Sequence, residues 1–131
     1  MTRREAREEL FKLVYEKLLR SETAQEIYEN ESAERNLKDK YIKSCFIGIF
    51  EKEEEIDALI SENARGWKLA RISKVNLALI RISVYEMLYA EIPVNISINE
   101  AIELSKKYGD DAAPSFVNGI LNTIATQKGL K

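Results

Sequence analysis

The apolar residues of the chain are densest from Ser73 to Ala90, where the sequence reads SKVNLALIRISVYEMLYA. At 3.6 residues per turn these side chains point nearly all round the helix axis, which is the pattern of a buried helix. Arg81 and Glu86 interrupt the run, which also falls short of the roughly 20 apolar residues that a membrane span needs. Ser73 can cap the helix start, and Pro93 follows its end. We therefore predict a central helix in a soluble core, with the other helices packed around it.

The first half of the chain contains further amphipathic segments. Thr2 and Glu5 have the spacing of a capping box at the start of a first helix. Residues 22–36 are acidic and poor in large apolar side chains, so we predict a connector with at most one short helix. From Leu37 to Ala64 an apolar stripe, broken once by a polar run, predicts two helices or one kinked helix.

Two more helices are predicted after the central one. Ser97 and Glu100 have the spacing of a second capping box in SISINEAIELSKKYG. Asp110 or Asp111 can begin the last helix, whose first turn tolerates Pro114. No window alternates apolar and polar residues for long enough to indicate a sheet. The whole pattern predicts an all-α fold in a single domain over the full chain.

Two glycines inside predicted helices need an explanation, because glycine costs a helix interior about 1 kcal/mol against alanine. Gly48 lies in the apolar stripe that follows Leu37, and there it allows a neighbouring backbone to approach closely. Gly119 lies in the last helix. We expect a close helix contact or a ligand at Gly119.

Composition excludes several classes of function. The 131 residues carry a formal charge of -2 with a sequence pI near 5.4, so any nucleic-acid binding must depend on local basic patches. Histidine is absent, which excludes His-based nucleophile sites, general bases and imidazole zinc ligands. No glycine-rich phosphate-binding loop occurs. We expect no enzymatic activity, metal, cofactor or small-molecule substrate.

Cysteine use and the N-terminal residues indicate the compartment. The single cysteine, Cys45, lies among apolar residues, which indicates a buried, inert thiol in a reducing environment. The first ten residues have no apolar core of the kind that a signal peptide carries. We expect a cytoplasmic protein that does not associate with membranes.

Three arginines, Arg3, Arg4 and Arg7, open the first helix, where the positive end of the helix dipole disfavours cations. One interpretation is that neighbouring glutamates neutralise them in surface ion pairs worth about 0 to 1 kcal/mol each. Those glutamates are Glu5, Glu8 and Glu9. The other interpretation is that the arginines bind an anion or RNA.

A second basic segment runs from Arg65 to Arg81, where every charged side chain is Lys or Arg. Charge asymmetry of this kind can mark a binding surface. It can equally be a flank that pairs with the acidic helix before it. Trp67 in this segment is more typical of a staple between helices than of a binding platform.

Four motifs in this order resemble the NusB family of bacterial transcription antitermination factors. They are RREAR followed by LVY at Arg3 to Tyr15, then GWKLARISKVNLALIRISVYEMLY, then INEAIELSKKYG, and finally FVNGIL at Phe116 to Leu121. The resemblance implies a fold of about seven helices in two packed subdomains, without catalysis. It also implies binding to the boxA element of nascent RNA, above all in ribosomal RNA leaders, as a heterodimer with NusE, a small-subunit ribosomal protein. That pair joins other Nus factors on RNA polymerase.

The resemblance also assigns RNA-binding residues. The arginine-rich start of the first helix contacts RNA in the family, which corresponds here to Arg3, Arg4 and Arg7. The FVNG segment lies at the same surface, so Phe116 is a candidate stacking face and Asn118 a candidate amide donor for an unpaired base.

The partner-binding face implied by the resemblance lies on the first and central helices, at Tyr15 and Asn76. The chain departs from its relatives at Pro114 and Ser115, where relatives commonly carry a basic residue before FVNG. We therefore expect weak RNA binding without NusE. The alternative function is a helical protein–protein adaptor without direct RNA contact, and both monomers and homodimers remain open.

Overall fold

The computed structural model describes residues 1–35 and 37–131, and its regular structure in those ranges is helical. The α-helices are α1 (Arg3–Leu19), α2 (Ala24–Arg35), α3 (Lys40–Glu51), α4 (Glu53–Asn63), α5 (Lys74–Tyr89), α6 (Val94–Tyr108) and α7 (Ala113–Gln127). A 3-10 turn, Leu69–Arg71, lies between α4 and α5. No strand occurs in the described part of the chain, so the predicted all-α fold is confirmed.

Local sequence signals set the starts of α1 and α5. The Thr2 hydroxyl accepts a hydrogen bond from the Glu5 backbone N–H at 3.0 Å, and the Glu5 carboxylate accepts one from the Thr2 N–H at 2.7 Å. Ser73 accepts the Asn76 N–H at 3.1 Å. These contacts satisfy backbone donors that a helix start leaves unpaired, and both predicted caps are confirmed.

The acidic segment after α1 was predicted as a connector with at most one short helix; one helix is present in its described residues, but it is longer than predicted. The segment forms the 12-residue helix α2, and residue 36, the last of the predicted connector, lies outside the described residues. Ile27 and Tyr28 are buried, and the Tyr28 hydroxyl donates to the Leu37 carbonyl at 2.7 Å. These two adjacent apolar side chains attach α2 to the core, and ion pairs from Arg35 to Glu9 and Glu16 of α1 add to the contact.

Helix α5 separates two clusters of buried apolar side chains. Its Leu79 and Ile82 pack with residues of α1, α2 and α3. Its Ile80 and Val84 pack with residues of α4, α6 and α7. This arrangement explains why α5 is apolar all round, and it confirms its predicted central position. No helix in the described residues is long and apolar enough to cross a membrane.

The two glycines inside helices have different surroundings. A Cβ at Gly48 would overlap the Tyr85 hydroxyl, so Gly48 does admit a close approach, by a side chain of α5. A Cβ at Gly119 would meet no atom of the described residues within 4 Å. The predicted helix contact at Gly119 was therefore wrong, and a ligand there stays a prediction.

Candidate nucleic-acid interface

The three arginines that open α1 lie in three different environments. Arg3 is exposed, and its guanidinium lies 4.2 Å from the centre of the Tyr41 ring. The Arg4 side chain is 73% exposed and pairs with Glu100 through two hydrogen bonds, Nε to Oε1 at 3.0 Å and Nη2 to Oε2 at 2.7 Å. Arg7 is only 3% exposed. Sequence alone treats these arginines as one patch, but the structure separates Arg7 from the surface.

The Arg7 guanidinium is the cationic member of a buried network. Its Nε donates to Glu86 Oε2 at 2.9 Å, and its Nη1 donates to Glu100 Oε1 at 3.3 Å. The Tyr41 hydroxyl donates to the same oxygen of Glu86. Burial is the largest single influence on the pKa of Arg7 and lowers it, but the attractions of Glu86, Tyr41 and Glu100 together outweigh burial and leave that pKa raised. Arg7 therefore stays charged and neutralises a carboxylate inside the protein.

The glutamates beside the arginines have other partners, so local neutralisation was the wrong interpretation. Glu5 caps α1. Glu8 accepts hydrogen bonds from Lys107, at 2.6 Å, and from the Tyr108 hydroxyl. Glu9 pairs with Arg35 of α2. These contacts join α1 to α6 and α2 rather than screening its arginines.

The second predicted capping box was also wrong. Helix α6 begins at Val94, after Pro93, so Ser97 and Glu100 lie inside the helix. Ser97 donates to the other oxygen of Glu86, Oε1, at 2.8 Å. Glu100 binds the two arginines of α1, and the hydrogen bond from Arg4 lowers the pKa of Glu100. Both side chains face partners on other helices, which local spacing cannot reveal.

Phe116 and Asn118 lie near the start of α7, on opposite edges of its exposed face. Residues two apart in an α-helix project about 160° from each other, so one base cannot contact both from the same side. The Phe116 ring packs against Trp67 in a T-shaped pair, with centroids 5.8 Å apart. The Asn118 Oδ1 accepts from Asn122 at 2.6 Å, which leaves the Asn118 amide nitrogen as a donor. Gly119 lies between these two edges and keeps the face flat.

The arginines pair near the middle of α6, whereas α7 begins beyond the C-terminal end of α6. Glu100, which binds Arg4, precedes Tyr108, the last residue of α6, by about 12 Å at 1.5 Å per residue. The α7 residues follow beyond that end. A ligand that contacts both places must therefore be an extended chain.

The two candidate partner-binding residues border neighbouring clefts. Tyr15 and Val75 line a cleft of about 350 Å³ between α1 and α5. Asn76 lines a cleft of about 260 Å³ together with Trp67 and Phe116. The Asn76 Oδ1 is buried and has no hydrogen-bond partner in the described residues. Asn76 thus shares a cleft with Phe116, a residue that the sequence assigned to RNA.

The basic segment from Arg65 to Arg81 contains both paired and unpaired cations. Arg81 is buried and binds Asp57 at 2.9 Å and Glu53 at 3.3 Å, so pairing with the acidic helix is confirmed for this residue. Four exposed cations make no ion pair within the described ranges 1–35 and 37–131. They are Arg65, Lys68, Arg71 and Lys74.

Sequence reasoning missed Glu86 and Tyr41 as members of the buried network. The available signal was a carboxylate in an otherwise apolar helix, since a buried charge requires a partner. Nothing in the local sequence identifies Arg7 as that partner, because 79 positions separate it from Glu86.

Comparison with known proteins gives a consistent family match. The family model described as the NusB family matches residues 4–126. The Transcription antitermination protein NusB of Clostridium perfringens is 48% identical over 130 residues, covering 95% of this chain and 96% of the relative.

Solved structures share the fold over nearly the whole chain. T. maritima NusB superposes with a TM-score of 0.86 at 35% identity, covering 97% of this chain and 92% of that one. A crystal structure of antitermination factors NusB and NusE in complex with dsRNA gives a TM-score of 0.85 at 28% identity, covering 95% and 96%. These similarities extend from α1 to α7.

Proposed function

Since the chain belongs to the NusB family of transcription antitermination factors, which is not an enzyme family, we propose that it binds boxA RNA as a heterodimer with NusE. In this role the pair joins other Nus factors on RNA polymerase in the cytoplasm and suppresses termination, above all in ribosomal RNA operons. The similarity to a NusB structure in complex with NusE and dsRNA supports the proposal.

The exposed guanidinium of Arg4 is the observation that carries RNA binding. Its two donors point at one carboxylate, and the planar fork that binds a carboxylate also fits two phosphate oxygens. Arg3 presents a second exposed cation from the same turn. An RNA phosphate would compete with Glu100 for Arg4, so binding is expected to be weak until further contacts add to it.

We assign Arg7 a positioning role within the RNA-binding group. Its guanidinium is buried between Glu86 and Glu100, and it shares Glu100 with Arg4. By neutralising these carboxylates, Arg7 reduces the negative potential that a phosphate meets near Arg4. It therefore affects RNA affinity through Glu100 rather than through a phosphate contact of its own.

The start of α7 supplies the contacts to bases. Phe116 offers part of its ring for stacking, and the amide nitrogen of Asn118 offers a hydrogen bond. Because the two side chains lie on opposite edges of the exposed face, we expect them to contact different nucleotides. Gly119 between them lets the RNA backbone approach α7 closely.

NusE is expected to bind along α1 and the start of α5. Tyr15 and Val75 line one cleft there, and Asn76, the residue after Val75, lines the next. The buried amide oxygen of Asn76, which lacks a partner in the described residues, is the acceptor that we assign to NusE.

A helical adaptor without RNA contact is the competing function. The ion pair of Arg4 and the burial of Arg7 favour it, because both guanidinium groups already have carboxylate partners. The two functions differ in the dependence of binding on salt. Phosphate contacts by Arg3 and Arg4 would contribute about 1.4 to the salt slope of single-stranded RNA binding.

The direct test measures binding of a boxA-like RNA, with and without NusE, to the wild type and to Arg3→Ala/Arg4→Ala. We expect the variant to bind more weakly and with a smaller salt slope. The control, Lys52→Ala/Lys128→Ala, removes the same charge at the α3–α4 junction and beyond the end of α7. Equal RNA affinity and salt slope for wild type and the arginine variant would favour the adaptor.

A further inference from the structure

Trp67 is a large aromatic side chain that is about half exposed to solvent in the folded chain. It is 51% exposed, and it lies in the connector between α4 and α5. Its contact with Phe116 is T-shaped, at an interplanar angle of 73°, so the pair does not stack face to face. A staple between helices would bury both rings, and this contact buries only part of Trp67. The exposed ring surface is therefore available to a ligand.

The cationic side chains near Trp67 in the sequence lack carboxylate partners in the described residues. Lys68, Arg71 and Lys74 are exposed and make no ion pair in the part of the chain that the structure describes, and Arg71 lines the same cleft as Trp67. Arg81, in the same basic segment, is buried in two ion pairs. The unpaired cations thus cluster at the Trp67 end of the segment.

The charged side chains that line the cleft are those of Arg71 and Asp110. Asp110 contributes a carboxylate to its lining, and the Oδ1 of that carboxylate accepts the Ala112 N–H at 3.1 Å. The first turn of α5, with Ser73 and Asn76, also lines the cleft and adds the positive end of its dipole. Arg71 and Asp110 balance each other within the lining, so the excess of positive charge comes from the exposed Lys68 and Lys74, which are adjacent in sequence to Trp67 and Ser73.

The size of the cleft excludes a helix of a partner protein as its occupant. A volume of about 260 Å³ is below the range of roughly 300 to 1,000 Å³ that drug-sized ligands occupy, and it is far too small for an amphipathic helix. A flat aromatic ring beside exposed cations is instead the arrangement that holds a single-stranded base and its phosphates.

We propose that Trp67 stacks on a base of single-stranded RNA whose phosphates contact Lys68, Arg71 and Lys74. This site deepens the proposed RNA-binding function and rests on it. Trp67 touches Phe116, so the RNA passes from the start of α7 onto the α4–α5 connector. The segment thereby lengthens the RNA path with contacts that read no particular base.

The chain provides its own probe, because Trp67 is the only tryptophan in the sequence. We would titrate the full-length protein with a boxA-like RNA flanked by six uridines on each side and follow tryptophan emission. Stacking on a base should quench this emission in proportion to bound RNA. The titration would be repeated with saturating NusE, taking the heterodimer without RNA as its baseline.

Substitutions test the energy of the same contact. Trp67→Ala should weaken RNA binding about 5- to 140-fold, and Trp67→Phe should retain most of the affinity. Lys68→Ala/Arg71→Ala/Lys74→Ala should lower the salt slope by about 2. Tyr89→Ala is the matched control, because Tyr89 is a 39% exposed aromatic residue beside Lys52 at the other end of α5. This control should bind RNA like the wild type.

Thermal melting shows whether each variant is folded. If Trp67→Ala unfolds, the variant Lys68→Ala/Arg71→Ala/Lys74→Ala, which changes only exposed side chains, still tests the site. The inference would be overturned if RNA leaves the tryptophan emission unchanged and if Lys68→Ala/Arg71→Ala/Lys74→Ala has the salt slope of the wild type. The proposed function would still stand if RNA binding nevertheless depends on Arg3 and Arg4. That result would favour an acidic protein segment as the partner of these cations. A wild type that binds no RNA even with NusE would overturn both.

Discussion

At the scale of single residues, identical side chains within one turn and a half of α1 have different roles. Arg4 is exposed and Arg7 is buried, although both pair with Glu100. The buried position makes Arg7 part of the core, because Glu86 would otherwise be a charge in the interior without a cation. Replacing the three arginines together would therefore alter folding as well as RNA binding, which argues for testing Arg3 and Arg4 apart from Arg7.

We predict that Arg7→Ala lowers the free energy of unfolding by about 3 to 5 kcal/mol, because it leaves the buried Glu86 carboxylate unpaired. Urea denaturation followed by circular dichroism measures the loss. The exposed Arg3→Ala is the matched control and should change stability little. A loss below about 1 kcal/mol for Arg7→Ala would mean that the network contributes nothing to folding.

We also predict that stability falls as the pH drops below about 4.5. The hydrogen bond from Arg4 lowers the pKa of Glu100, and the one from Lys107 lowers the pKa of Glu8. Folded carboxyl groups with lowered pKa values stabilise the protein above the unfolded value of about 4.3, and this contribution is lost as the pH falls through the folded value. Glu16, whose pKa is raised by burial, acts in the opposite sense.

Urea unfolding at a series of pH values from 7 to 3 would measure this dependence. Glu100→Gln should show a shallower loss of stability with acid, since it removes one of the shifted groups. Glu103→Gln, at an exposed neighbouring position on α6, is the control and should keep the slope of the wild type. Parallel curves for Glu100→Gln and the wild type would contradict the assignment.

At the scale of helices, the two internal glycines show how a neighbouring helix decides whether replacing glycine by alanine stabilises or destabilises the protein. Gly48 faces Tyr85 of α5, which fills the space of a Cβ. Gly119 faces open space on α7. The intrinsic helix penalty is the same at both positions, so any difference in their mutational response must come from packing.

We predict that Gly119→Ala raises the free energy of unfolding by about 0.5 to 1 kcal/mol, because alanine favours a helix interior and no contact opposes it here. Gly48→Ala should lower stability, since its Cβ would overlap the Tyr85 hydroxyl. Chemical denaturation of both variants provides the comparison.

If RNA lies against α7, Gly119→Ala should also bind RNA more weakly despite being more stable. Destabilisation by Gly119→Ala would show that the helix is strained there.

At the scale of the whole molecule, α5 contributes side chains to both apolar clusters, while the proposed binding residues lie on α1, α7 and the start of α5. Because both clusters use side chains of α5, we expect the chain to unfold as a single domain. The candidate RNA contacts are at the starts of α1 and α7, and the candidate NusE contacts lie along α1 and the start of α5. The two ligands would therefore adjoin each other.

We predict positive cooperativity between RNA and NusE. A chain with a charge of -2 repels RNA at long range, so a basic partner would supply the missing positive field. Coupling of about 1 to 3 kcal/mol would tighten RNA binding about 5- to 150-fold, and linkage requires RNA to tighten NusE binding equally. Titration of each pair, with the third component absent and then saturating, measures both factors. Equal RNA affinity with and without NusE would indicate an independent RNA-binding domain.

The sequence by itself determined the features that depend on neighbouring residues. The Thr2 and Ser73 caps, the helix over 74–89 and the absence of histidine all follow from local pattern or composition. The family also follows from motifs that are continuous in the chain. Such features are readable because a helix and its caps are set by contacts within a few residues.

Only the tertiary structure decided which polar side chains are inside. Ser97 and Glu100 have perfect spacing for a cap, but they bind Glu86, Arg4 and Arg7 instead. These partners are up to 96 positions away in the chain, and packing alone brings them together. A buried charge is stable only beside its partner, so the fold that brings Arg7 to Glu86 also decides which arginines remain free for a ligand.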